Sequence, residues 1–315
     1  MSSAFKSAIK DPAYLPFVLC ALVCLLPQIS SPIALVLGFT LASLGLVPGS
    51  IPLNQLVKKL LAYSIVGLGF GIQLDSALQA SGDNLSLILG SIVFTLLLGG
   101  LLTRWLKLDS KLGHMIASGT AICGGSAIAA VAPAIRAESQ QTAIALATVF
   151  VLNSVALFLF PALGHLLEMS QYQFGIWSAI AIHDTSSVVG AASAYGDEAL
   201  TVATTVKLAR ALWIIPLALL SALIFGGDRR KIAIPYFILL YAVAIAIAHY
   251  LPEGKAIYEI IFSVAKRTLV LCLFLIGAGI TLSKLRQAGA QPLILGVLLW
   301  VAIGIGSLLF ILNFS

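Results

Sequence analysis

Three short stretches of this chain hold the residues whose types could do chemistry. The first, Gly119-Thr120-Ala121-Ile122-Cys123-Gly124-Gly125-Ser126, puts glycines, hydroxyls and a thiol side by side. Glycine loses more backbone freedom in a helix than any other residue, so a continuous helix is disfavoured here. A helix that resumes after such a break presents unbonded N–H groups and the positive end of its dipole, and both attract anions. Close helix packing through small residues is the alternative reading. The second stretch is Ala181-Ile182-His183-Asp184-Thr185-Ser186-Ser187, two adjacent ionisable residues followed by three hydroxyls. Asp184 or Thr185 is suited to cap a helix that starts near Ser186. The third holds Thr204, Lys207 and Arg210, spaced by three and therefore near one helical face.

Two cations, one acid and the helix N-termini leave a positive balance, which suits a small anion. Asp184 then either offsets a cation or carries a coupling proton or sodium ion. Cys123 with His183 and Asp184 also has the residue types of an activated thiol. The Gly-Gly that follows Cys123 is equally explained by a helix break, so no catalytic residue is assigned. No cofactor or metal motif accompanies these residues, and none is expected to bind.

The elements that must position them are membrane helices. Of 315 residues, 60% are hydrophobic and only 10% charged, against roughly 25% charged in an ordinary soluble domain. Apolar stretches of spanning length recur along the chain, at residues 13–28, 32–47, 57–74, 84–103, 112–135, 140–167, 173–193, 199–225, 233–250, 258–283 and 291–313. The fold expected is an all-α, polytopic transmembrane bundle of ten or eleven spans, forming one membrane domain over residues 1–315. The first span is read as a retained helix, because no small-x-small cleavage site follows it.

Depth ties the three stretches together. At 1.5 Å per residue, Lys207 and Arg210 lie roughly 12 and 17 Å in from residue 199, and the hydrocarbon half-thickness is ~15 Å. The same arithmetic centres Cys123 and His183-Asp184 in their spans. Two discontinuous helices are therefore expected to meet near the bilayer midplane, where many secondary transporters build their substrate sites.

Lysines and arginines in short loops set orientation. Eleven crossings from a cytoplasmic N-terminus, with Lys6 and Lys10, put Lys58, Lys59, Arg104, Lys107, Lys111, Arg229, Arg230, Lys231, Lys284 and Arg286 inside. Asp75, Asp83, Asp197, Glu198, Glu253 and Glu259 then fall outside, with the C-terminus. Arg136 and Lys255 are exceptions, and Lys266 and Arg267 lie within a span. There is also an internal echo. Gly69-Phe70-Gly71-Ile72-Gln73-Leu74 resembles Gly277-Ala278-Gly279-Ile280-Thr281-Leu282, and Leu46-Val47-Pro48-Gly49 resembles Leu251-Pro252-Glu253-Gly254. Only one span follows the second member, so a tandem of two equal halves does not fit.

The net charge of +6 carries no basic face with interleaved aromatics, so no nucleic-acid partner is expected. Cys20, Cys24, Cys123 and Cys272 lie in apolar stretches without metal or disulfide spacing. No phosphate-binding Gly-x-x-x-x-Gly-Lys motif is present, so the chain brings no ATP site of that kind.

The glycine-cysteine motif continued through Ala127-Ile128-Ala129-Ala130, the His183-Asp184 pair and Val206-Lys207-Leu208-Ala209-Arg210 resemble the sulfate-exporter family of YeiH-like bacterial proteins. The resemblance covers essentially the whole chain. It implies a multi-pass protein of the bacterial inner membrane and a transporter, and the family's name records a conjecture of sulfate or sulfonate export. The expected function is a secondary carrier of a small anion of the sulfate, sulfonate or carboxylate class, with a passive anion channel as the alternative. The expected partners are the lipid bilayer and the anion, with homo-oligomerisation left open.

Overall fold

The computed structural model describes residues 12–226, 236–279 and 289–314. Lys6, Lys10, Arg229, Arg230, Lys231, Lys284, Arg286 and the last three residues of the second echo lie outside them. The described residues are helical throughout, with no strand among them. In chain order the helices are α1 (Tyr14–Val23), α2 (Ser31–Ser43), α3 (Leu53–Gly69), α4 (Leu74–Asp83), α5 (Leu85–Trp105), α6 (Ser110–Ala121), α7 (Gly125–Ala134), α8 (Ser139–Leu166), α9 (Gln171–Ala181), α10 (Thr185–Tyr195), α11 (Asp197–Ala211), α12 (Ile214–Ile224), α13 (Tyr236–Tyr250), α14 (Lys255–Ala278) and α15 (Ala290–Phe314). Five helices among the described residues are long and apolar enough to cross a bilayer: Leu85–Trp105, Ser139–Leu166, Asp197–Ile224, Pro252–Ala278 and Ala290–Asn313.

The chain packs as two units, each assembled from two separate segments. In the first, residues 1–74 and 239–282, α14 lies along α2 and α3. Small residues set the spacing, because Gly277 sits directly on the main chain of α2 at Leu35 and Phe39. The Phe17 and Phe274 rings close this core at 5.2 Å. Arg267 has a local purpose: its guanidinium donates to the carbonyls of Leu26, Pro27 and Ile29 at 3.1–3.4 Å, beyond the end of α1.

The second unit, residues 75–238 and 283–315, is organised around α8. Its 28 residues make a rod ~42 Å long. Asp109 starts α6 by accepting from the N–H groups of Lys111 and Leu112 at 3.0 Å, which satisfies donors that have no partner inside the helix. Ser170 and Gln173 form a capping box at the start of α9. Between α11 and α12 the axis turns at Leu212 and Trp213, because Pro216 has no N–H to return to the Leu212 carbonyl.

Two expected crossings are corrected. Segments 112–135 and 173–193 do not run through as single interrupted helices; each folds back on itself. In α6–α7 the Lys111 ammonium donates to the Arg136 carbonyl at 2.9 Å, and a Cβ on Gly119 would lie 3.0 Å from the Ile128 side chain. In α9–α10 the rings of Phe174 and Tyr195 stack at 3.8 Å, and Gln171 accepts from the N–H groups of Glu198 and Ala199. A straight helix of 25 residues would hold such ends ~37 Å apart. Each element is therefore a helical hairpin with arms of 10–12 residues, ~15–18 Å long and about half the ~30 Å hydrocarbon core. A further helix, α4, lies between the apolar stretches at 57–74 and 84–103.

The hairpins enter from opposite ends of α8. Gln141, in the first turn of α8, donates to Asp109 at the base of α6–α7. His165, in its last turn, stacks on Tyr195 at the base of α9–α10 at 4.3 Å.

Candidate functional site

Both hairpin tips reach the middle of α8 and meet there. The first arm ends as the Gly124 N–H donates to the Gly119 carbonyl at 2.8 Å, the six-to-one closure that ends many helices. Gly124 then turns the chain at φ 63°, ψ −122°, a region essentially closed to residues with a Cβ. Space demands glycine as well: an added Cβ would lie 3.2 Å from Asp184 Cα and 3.2 Å from Val149 Cγ1. Asn153, one turn further along α8, accepts from the Asp184 N–H at 3.2 Å. Val149 thus abuts one tip and Asn153 holds the other.

At the second tip Asp184 is the N-cap of α10, accepting from the Ser186 N–H at 3.0 Å and from the Ser186 hydroxyl. Thr185 and Ser187 are buried beside it, and Asp184 and Ser186 are half-buried. At the first tip the N-cap of α7 is Gly124, which has no side chain to cap it. Gly125 there is half-buried and Ser126 exposed, while Thr120 and Cys123 are buried behind them. Two helix N-termini, one capped by a carboxylate and one with glycine at its cap, therefore converge at Gly124 and Asp184. N-termini collect positive partial charge from the peptide dipoles, and the pair forms an anion-attracting patch with a single acid at its edge.

Lys207 and Arg210 stand behind this patch rather than in its open part. Both are fully buried. The Lys207 ammonium donates to the carbonyls of Ala179 (3.1 Å) and Ile182 (2.7 Å), and Arg210 Nη1 donates to the Ile180 carbonyl. These carbonyls close the C-terminal end of α9, where the helix has acceptors without partners and a negative dipole end. The two cations thus hold the tip of the second hairpin, and their charge reaches the open patch through the protein rather than by contact.

The structure brings all three sequence stretches together, but with different parts. Gly119 packs under the first hairpin against Ile128 and Val149. Thr120 Oγ1, Thr204 Oγ1, both His183 ring nitrogens, and Nε and Nη2 of Arg210 are buried without a hydrogen-bond partner among the described residues. Cys123 and His183 consequently form no thiol–imidazole pair. Asn153 was missed from sequence. Its signal was present: a carboxamide in the middle of a long apolar helix is costly unless it has a partner.

The chain matches the family model described as "Conserved hypothetical protein 698" over residues 16–296. It is 69% identical to a UPF0324 membrane protein of Shewanella oneidensis over 99% of each chain. It is 51% identical to one of Bacteroides thetaiotaomicron over 81% of this chain and 78% of that one. With one of Geobacter sulfurreducens it shares 45% identity over 91% of this chain and 92% of the other. No solved structure matches it. The motifs at 119–130, 183–184 and 206–210 pointed to this same group, and the chain belongs to the UPF0324 family of membrane proteins.

Proposed function

We propose that this protein is a secondary carrier for a small anion of the sulfate, sulfonate or carboxylate class, working by alternating access in the bacterial inner membrane. The observation that carries the reading is the meeting of two hairpin tips halfway along α8, with a helix N-terminus that has glycine at its cap beside Asp184. Solute sites of many carriers lie at that depth, between helix ends that enter from opposite sides. The anion is held at the N-terminal turn of α7 by main-chain N–H groups and the Ser126 hydroxyl, with Ser186 opposite. Asp184 carries the coupling proton or sodium ion. Lys207 and Arg210 fix the second tip and supply positive field.

In this reading nine helices cross and two hairpins re-enter. The N-terminus is cytoplasmic and the C-terminus lies outside, as in the eleven-span count, because two hairpins remove two crossings. Both ends of α6–α7 now lie on the cytoplasmic side, so Arg136, an exception before, joins the inside-positive set. The test is flux in proteoliposomes with labelled sulfate, methanesulfonate and acetate, each with and without a proton or sodium gradient. Saturable, gradient-driven uptake of at least one anion is expected. Unsaturable conductance in planar bilayers without exchange would replace the carrier with a channel.

A further inference from the structure

Two offsets recur along this chain. The hairpins match at sixty residues: α6 ends at Ala121 and α9 at Ala181, and α7 begins at Gly125 and α10 at Thr185. Ser118, Ala121, Ile122, Ser126, Ala132, Ala134 and Glu138 recur as Ser178, Ala181, Ile182, Ser186, Ala192, Ala194 and Glu198. Hydrogen bonds recur with them. Ile122 N–H donates to the Ser118 carbonyl at 3.2 Å, and Ile182 N–H to that of Ser178 at 3.1 Å. Ile128 donates to Gly124 at 3.1 Å, and Val188 to Asp184 at 3.0 Å.

The pairs α3–α14 and α5–α15 match at a second offset, slightly above two hundred residues. Gly69 of α3 pairs with Gly277 of α14, and Leu87-Ile88-Leu89-Gly90 of α5 with Leu293-Ile294-Leu295-Gly296 of α15. Packing follows the pairing. Gly277 sits on α2, while a Cβ on Gly69 would lie 3.0 Å from the Tyr241 carbonyl of α13. The α10 helix packs on α8, while α7 packs on α12. Gly99 of α5 lies against Ala117 of the first hairpin, and the Trp177 indole of the second, sixty residues on from Ala117, donates to the Gly304 carbonyl of α15 at 2.9 Å.

We infer that the chain is an inverted duplication whose second half is circularly permuted. One half is α2, α3, α5, the first hairpin and α8. The other, in the same order, is α13, α14, α15, the second hairpin and α11–α12. In the first half α5 runs directly into its hairpin. In the second, α15 lies against its hairpin without running into it, because the hairpin and α11–α12 come before it in sequence. Parity gives the reason. Each half has four crossings, an even number, so a plain tandem would repeat in the same orientation. Starting the second half at its hairpin, on the side where α8 ends, inverts every helix. This resolves why only one span follows the second echo. Against this background the charge is one-sided: residues 147–152 of α8, which match the Lys207–Arg210 region of α11, hold no charged side chain.

The inference rests on the two-sided topology proposed above, and its test needs no transported solute, so a failed flux assay counts against the carrier alone. Residues 1–170 are expressed as one chain. Residues 236–315, followed by a short Gly-Ser linker and residues 171–235, are expressed as another. The reference is the same cut without reordering, 1–170 with 171–315. Both pairs are expected to co-purify at equal stoichiometry with similar melting midpoints. Assembly of the reference pair without the reordered pair would overturn the permutation. If neither pair assembles, single cysteines in the intact chain decide the inversion. Lys111→Cys and Arg136→Cys should react with an impermeant maleimide only from the cytoplasmic face, and Gln171→Cys and Glu198→Cys only from the outer face. Labelling of all four from one face, or of 111 and 136 from opposite faces, would overturn it.

Discussion

Gly124 and Asp184 occupy the same place in two hairpins, and they touch: a Cβ on the glycine would lie 3.2 Å from the aspartate Cα. One hairpin gives up its side chain at this point so that the other can keep a carboxylate there. The contact makes the two tips mutually dependent.

Gly124→Ala is therefore expected to destabilise the protein. Placing a Cβ at φ 63°, ψ −122° costs about 1–3 kcal/mol, before any clash with Val149 or Asp184. Gly125→Ala, whose Cβ would first meet the Phe150 ring at 3.3 Å and Leu146 at 3.5 Å, is expected to lower the melting midpoint less. Equal midpoints for the two variants in detergent would show that the tip is looser than described.

Removing the buried cations should affect folding before affinity. Hydrogen bonds to charged groups contribute about 1.5–3 kcal/mol each, and the carbonyls that Lys207 holds would be left unpaired in the interior. Lys207→Met is expected to lower the melting midpoint without any anion present and to loosen the second hairpin in hydrogen exchange. A variant with wild-type stability but binding weakened ten- to a hundred-fold would return Lys207 to direct contact with the anion.

Asp184→Asn separates capping from charge. Asparagine caps helices about as well as aspartate, so the variant is expected to fold with a nearly unchanged midpoint. Gradient-driven uptake is expected to disappear while anion exchange persists. Driven uptake at the wild-type rate would remove Asp184 from the coupling step.

Sidedness can be read with reporters fused after Arg230 and after Ser315. They should report the cytoplasm and the outside respectively. The same face for both would remove the odd number of crossings that this topology places between them.

Much of this was legible in the sequence, at different depths. Glycines and hydroxyls at 119–126 told that a helix stops, since both residue types weaken a helix locally. They did not tell that the chain turns back, because an interrupted crossing and a hairpin have the same apolar length. Arg136 held the missing clue: a lone cation on the wrong side is what an overcounted crossing produces. The role of Lys207 and Arg210 was hidden for another reason. Spacing of three placed them on one face, but which acceptors that face meets depends on the carbonyl end of α9, and carbonyls leave no trace in a sequence. Asn153 was passed over because a single polar residue in an apolar helix has many explanations until its partner is seen.

The placement of both tips halfway along α8 has an electrical consequence. In the proposed carrier, with α8 spanning the bilayer, an ion that reaches Asp184 from either side crosses about half of the membrane potential. A full elementary charge moved across 100 mV is worth ~2.3 kcal/mol, so half the drop is worth about 1.1 kcal/mol, roughly a six-fold change in occupancy. In that reading the aspartate is a voltage-weighted binding post, and a cation loaded there would be driven inward by a negative interior even with equal concentrations on the two sides.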